Sequence, residues 1–405
     1  MTTEEIRGKK EFEERGGGLL SGPKKEEKPD WIPVSAQIHD HVMALTKTPA
    51  KVFYYQAEPM VSAFQAVTEY YHLDTMVPFG DVYNYEAEAL GQTMIYGENS
   101  MPTIDFRDPL IKKPSDLAHV KIPDWRTAKR IPYILDVMRL SKERGISDQG
   151  IFCAPFSLAV GIRSYPLLVR DMKKDPKFAH ELFTFIVDEV LSSYLRVVNQ
   201  ETGLFIILGA DAWSSYPNVT PDLMEEFVVP YSERLRNNLA PTGVYALVAG
   251  AADYCEERLE RFDKHILWRT FDAEMACIGS PTLLLGMGRW QDYPLEPVAE
   301  YLAMHRQKGE TIHVSAGVNA RLLRDGPVDK IVDNIKRFVD VLGRENPIDI
   351  FLANVPSDTP TQHIHAAVAA SHTYGHLPIA ENLDEVEFEV PQRESFEEFM
   401  ATQAV

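Results

Sequence analysis

The sequence predicts an α/β fold, a (β/α)8 TIM barrel with an N-terminal helical extension. Eight short apolar runs carry β-branched residues and end at a turn or polar residue. Helical patterns lie between most of them. Neither a Gly-x-Gly-x-x-Gly nor a P-loop pattern follows any run, so a doubly wound nucleotide fold lacks its signature.

The elements follow in chain order. Residues 1–30 mix acids and bases in near balance, contain GGG and GPKKEEKPD, and read as a charged leader. The globular part is expected over 31–380, with VSAFQAVTEYYH (61–72) as an early helix. The expected strands are DTMVPFGD (74–81), GIFCAPF (150–156), LFIILGAD (204–211), VYALVAG (244–250), ILWRTFD (266–272), TLLLGMG (282–288), TIHVSAG (311–317) and IDIFLANVP (348–356). Helices are predicted over 131–145, 175–203, 220–243, 295–309, 326–343 and 359–375. Several open on Asp-Pro, Thr-Pro or Gly-Pro and several stop at Gly, which is helix start and stop chemistry. Residues 381–405 hold eight acids against one base, Arg393, and form an acidic tail that reads as solvated.

The 405 residues are 45% hydrophobic and 25% charged, ordinary values for a soluble protein. The net charge of −19 opposes nucleic acid as a partner. No apolar stretch reaches the length of a membrane span, and the first residues lack a signal-peptide core, so a cytoplasmic location is expected. Cys153, Cys255 and Cys277 have no CxxC spacing and read as small buried groups.

In such a barrel the reacting groups sit where strands end. Asp81, Asp211 and Asp272 close three runs, Arg289 follows another, His313 lies within the seventh and Asn354 near the end of the eighth. Clustered carboxyls can fix a cation, bind hydroxyls, or act as acid and base once their pKa is raised. Each aspartate alone also suits a helix N-cap. In DVYNYEAEALG (81–91), Asp81, Tyr83 and Asn84 are assigned to the pocket, Glu88 to the helix surface, and Glu86 is left open. Phe156, Trp213 and Tyr216 would line a dry, flat substrate pocket.

The stretches DVYNYEAEALG (81–91), APFSLAVGIRSYPLLVRDMKKDP (154–176), GADAWSSYPNVTPDLMEEFVVPYSERL (209–235) and VPSDTPTQHIHAAV (355–368) resemble the uroporphyrinogen decarboxylase superfamily, and within it the corrinoid-dependent methyltransferase branch. The resemblance spans about residues 35–380. It implies a (β/α)8 barrel. The decarboxylase's arginine-rich N-terminal motif and Gly-Asn-Leu-Asp-Pro motif are absent, so four propionates would lack partners. The branch's zinc ligands align with Leu247, Ala249 and Asn354, which cannot form a thiolate zinc site; zinc held by carboxylates and histidine stays open. The resemblance therefore implies methyl removal from a small donor, an O-methyl ether by preference, onto cob(I)alamin. Asp81, Asp211, Asp272, Tyr83 or His313 would supply the proton, and Asn84, Phe156, Trp213, Tyr216, Arg289 and Asn354 would bind the donor. With no Asp-x-His-x-x-Gly motif here, the corrinoid would arrive on a partner protein. A decarboxylase or lyase with a non-porphyrin substrate and a catalytically silent ligand-binding barrel are the alternatives.

Overall fold

The structure is a computed structural model that describes residues 29–75, 80–147, 149–215, 218–249, 282–286 and 295–403. The leader up to residue 28, Tyr216, Arg289 and the run 266–272 with Asp272 lie outside the described residues.

Strands β1 (Val34–Ala36), β4 (Gln149–Cys153), β5 (Ile206–Ala210), β6 (Tyr245–Ala249), β7 (Thr282–Leu285), β8 (His313–Val318) and β9 (Ile348–Leu352) are all parallel to their neighbours. They form two sheets, β4-β5-β6 and β1-β9-β8-β7, and Thr75 adds a parallel bridge to Ser35 beyond β1. A separate antiparallel hairpin pairs β2 (Met94–Ile95) with β3 (Thr103–Ile104). Parallel strands with helices between them, β1 hydrogen-bonded to β9, follow the strand order of an eight-stranded (β/α) barrel. Among the described residues no bonds join the two sheets into a closed ring.

The N-terminal helices His39–Leu45, Ala50–Phe53 and Ala57–Tyr71 are present, but a strand precedes them. They are the crossover from β1 to the Thr75 segment. β1 is only three residues long with a polar centre, Ser35, so it carries no apolar-run signal. The helix expected over 175–203 runs as Pro176–Phe185 and Ser192–Thr202 with a wider π turn, Ile186–Leu191, between them. Asp175 caps its start by accepting the Phe178 N–H at 3.3 Å, and Gly203 ends it at φ 64°, a conformation that suits glycine.

The strands are buried because helices cover them. Opposite Gly209 in β5 stands Phe152 in β4, and a Cβ at 209 would meet its ring at 2.5 Å. The large-small pair lets the sheet pass a phenylalanine without spreading. At Gly317 in β8 a Cβ would fall 2.2 Å from the Leu285 carbonyl oxygen of β7, a backbone atom that cannot swing away.

The acidic segment 381–403 is packed along the body. Leu383 and Phe396 are buried, the Phe396 ring stands 5.3 Å from Tyr70, and the Tyr70 hydroxyl donates to the Glu394 carbonyl at 2.8 Å. Lys336 pairs with Asp384 at 2.5 Å, and Lys47 pairs with Glu397. Its acids stay at the surface while its apolar residues hold it down, so the expected solvated arm is instead a strap.

Replacing Gly317 by Ala should cost about 2–4 kcal/mol, because β7 and β8 must separate to admit one methyl group. Urea unfolding would read this; an unchanged midpoint would show that the strands do not approach this closely.

Candidate active site

The C-terminal ends of β4 and β5 converge on Cys153. This thiol is fully buried, and burial pushes its pKa well above the usual thiol range, helped by the carboxyls of Glu86, Asp211 and Asp81. Three carboxyls from three segments thus surround one strand end. Cys153 is an inert packing group, and its backbone N–H does the chemical work by donating to Glu86 Oε1 at 2.9 Å.

Asp81 is held by a buried network. Arg130 precedes helix Ile131–Glu143 and points its Nη1 at Asp81 Oδ2 at 2.5 Å and its Nε at Glu88 Oε2 at 2.6 Å. The three side chains are at most 5% exposed. The guanidinium also lies 4.9 Å from the centre of the Tyr85 ring and 5.6 Å from that of Tyr55. Asn84 donates to Asp81 and to the Pro102 carbonyl, the latter at 2.9 Å. Burial pushes Asp81 up to about 7, against the pull of Arg130 and Asn84. Glu88 accepts from the Tyr96 hydroxyl at 2.7 Å as well. The expectation that Glu88 sits on the helix surface is therefore corrected: it is buried because Arg130 meets it there.

Asp211 follows β5. Its Oδ1 accepts the Ser157 N–H at 2.8 Å and the Ser157 Oγ–H at 2.7 Å. Ser157 lies in the first turn of helix Pro155–Arg163, so Asp211 caps a helix that follows a neighbouring strand. The carboxylate also sits where substrates meet a barrel. Tyr83 approaches the Ala212 backbone, and its hydroxyl is pushed up by burial first and then by Cys153 and Asp211.

The structure thus brings Asp81, Tyr83, Asn84 and Asp211 together, and separates others. Both protons of the Asn84 amide are spent on Asp81 and Pro102. Phe156 is buried and stacks on Phe183 at 5.8 Å, away from the rim. Trp213 stays beside Asp211, its ring 5.5 Å from Tyr165 and 5.8 Å from Phe106. His313 opens β8, at the strand's N-terminal end, whereas Asp211 follows the C-terminal end of β5. Its Nε2 contacts Asp349 Oδ1 at 2.6 Å, and Ser315 donates to the other oxygen at 2.7 Å. His313 is therefore placed to pin strand starts, because the chain enters β8 at this residue. Asn354 follows β9, exposed and with φ 49°. Leu247 is buried in β6 without a ligating atom. Among the described residues no three His, Cys, Asp or Glu side chains stand close enough to hold a metal ion.

Around these acids lies an aromatic rim. Tyr55 and Tyr96 approach to 6.4 Å over the Arg130 network, and Tyr96 is 54% exposed. Ile95 and Phe106, on or beside the β2–β3 hairpin, are exposed too. Glu86, Arg130, Ser157 and Tyr194 were not singled out as site residues from sequence. Arg130 lies 49 residues from Asp81, and no local pattern links them.

Residues 24–261 match the family model described as Uroporphyrinogen decarboxylase (URO-D). The chain is 28% identical over 188 residues to a uroporphyrinogen decarboxylase of Myxococcus xanthus, covering 44% of this chain and 51% of that one. It is 28% identical over 171 residues to one of Citrifermentans bemidjiense, covering 38% and 48%. The chain spans about half the length of the curated relatives it matches. Its fold matches that of a solved methyltransferase from Methanosarcina mazei with a TM-score of 0.61 at 18% identity, over 85% of this chain and 95% of that one. Among the described residues no helix is long and apolar enough to cross a membrane.

Arg130→Met should destabilise the fold by about 3–5 kcal/mol near neutral pH, because two buried carboxyls lose their cation. Burial already holds Asp81 above its unfolded value, and removing Arg130 takes away the pull that opposes it. The folded state then binds protons more tightly, and the loss must grow as pH rises through the folded values. Thermal unfolding of both forms at several pH values tests the sign; a pH-independent loss would mean the pair is not ionised. With its family model covering more than half of its length, the chain belongs to the uroporphyrinogen decarboxylase family.

Proposed function

We propose that the protein is a methyltransferase that moves a methyl group from a small O-methylated donor to the cob(I)alamin of a partner corrinoid protein. The observation that carries this reading is the set of buried carboxyls at the strand ends, with Asp81 pushed up to about 7. An ether oxygen leaves poorly unless it gains a proton, and an acid poised near neutral pH is suited to give one. A substrate with many carboxylates would need several arginines near the chain's start. Residues 32–55 contain none, and Arg130 is engaged by Asp81 and Glu88.

The residues present also suit the cofactor's shape. A corrin is broad, flat and largely apolar, and the exposed rings of Tyr55, Tyr96 and Phe106 offer an apolar rim beside the acids. When bound, the reduced corrinoid supplies the nucleophile that takes the methyl group. This chain's residues do the rest. Trp213 and Tyr165 flank the donor, Asp211 and Tyr83 orient its polar groups, and the buried acids hold the proton. The rim lets the partner cover the mouth and exclude water.

A second reading is favoured by the relatives' names. A poised acid also suits protonation of the carbanion left by carbon dioxide loss. That reading predicts carbon dioxide release with no corrinoid present.

The test is anaerobic incubation with cob(I)alamin and a panel of O-, N- and S-methylated donors, following loss of the cob(I)alamin absorbance. Turnover with O-methyl donors is expected. Asp211→Asn keeps an acceptor for Ser157, so it should lower turnover by about 10²-fold or more while leaving thermal stability nearly unchanged. Normal turnover in that variant would remove Asp211 from the site.

A further inference from the structure

Helix Tyr85–Ala89 carries two glutamates two residues apart, which therefore leave it in different directions. Their environments are opposite. Glu88 has a guanidinium at 2.6 Å and a phenol at 2.7 Å. Glu86 is fully buried; the Cys153 N–H donates to its Oε1, and the Glu86 backbone N–H acts on the same carboxyl. Its Oε2 is buried and has no hydrogen-bond partner among the described residues. Tyr194, on helix Ser192–Thr202, is fully buried too; its hydroxyl likewise has no partner there and feels the charge of Glu86.

We propose that Glu86 is the proton donor of this site, a neutral carboxyl that carries its hydrogen on Oε2 and gives it to the oxygen that loses the methyl group. The role in transfer rests on the methyl-transfer reading above; the protonation state does not.

The geometry fixes which oxygen holds the proton. Oε1 is occupied as an acceptor by Cys153, so the acidic hydrogen sits on Oε2. A carboxylate met by backbone N–H groups but by no guanidinium or ammonium among the described residues is costly in an apolar interior, and the neutral form avoids that cost. Burial pushes Glu86 up to about 8; the backbone N–H groups of Cys153 and of Glu86 itself oppose this, and the Asp81 carboxyl adds to it. Besides Asp81, the groups facing it are the Cys153 thiol from β4 and Tyr194 from its helix.

The step balances. The methyl–oxygen bond breaks and its electron pair stays on oxygen. The methyl carbon bonds to the electron pair of the reduced corrinoid. The Glu86 proton completes the alcohol or phenol, and the carboxylate left behind regains a proton from solvent.

Infrared difference spectra of the full chain, without donor or corrinoid, test the protonation state. Titration from about pH 6 to about pH 10 should remove the carbonyl stretch of a protonated carboxyl with a midpoint near 8. The band should vanish in Glu86→Gln, persist in Asp81→Asn with a lower midpoint, and shift frequency in Tyr194→Phe. If Glu86→Gln does not fold, isotopic labelling of glutamate in the wild-type chain must shift the band. Absence of such a band overturns the proposal. With corrinoid supplied, Glu86→Gln should slow alkyl methyl ethers by about 10²-fold or more and aryl methyl ethers much less, since a phenoxide needs the proton least. Equal loss for both classes, or none, overturns the donor role while the band stands. A wild-type chain that shows the band but demethylates no donor overturns the methyl-transfer reading and the donor role with it.

Discussion

The site depends on one buried cation. Arg130 ties Asp81, on the segment that follows Thr75, to Glu88, on helix Tyr85–Ala89. A helix of five residues has almost no stability of its own. It keeps its place because Arg130 holds one side while the Cys153 N–H holds the other through Glu86. Asn84 and the rings of Tyr85 and Tyr55 complete the enclosure. Burial of these charges is costly, so the network contributes position more than net stability. What it positions is a pair of acids at the end of β4.

Burial then divides the chemistry among like residues. Glu88 and Asp81 share one guanidinium. Asp81 and Glu86 differ in how well the surroundings support their charge, and both are pushed towards neutrality. Asp211 is tied to the start of a neighbouring helix. A set of carboxyls that looks uniform in the sequence becomes an ion-pair partner, two groups pushed towards neutrality and a cap. Pairs of groups whose environments drive their pKa values apart are what acid chemistry near neutral pH requires.

The strands that form continuous apolar runs, such as Ile206–Ala210 and Tyr245–Ala249, were legible because both faces of a parallel strand are covered. Val34–Ala36 was not, because three residues around a serine carry no periodicity. Asp81 and Asp211 were found by where their runs end. Glu86 and Arg130 were not singled out, since their meaning lies in contacts across 67 and 49 residues. His313 lies in the expected strand, but parity alone does not say whether it faces into the barrel or out of it. The strap shows a further limit: eight acids dominate its composition, while the position of a few residues such as Phe396 decides where it lies.

The pairing of β1 with β9 has a consequence for how the molecule comes into being. Ser35 finds its neighbour Phe351 only after more than three hundred further residues have been joined. At ordinary translation speeds that is on the order of tens of seconds. Throughout that interval the nascent chain carries an edge that nothing yet covers. The ribosome must deliver β9 before the first strand can pair with it, which makes this seam a natural point of attention for chaperones.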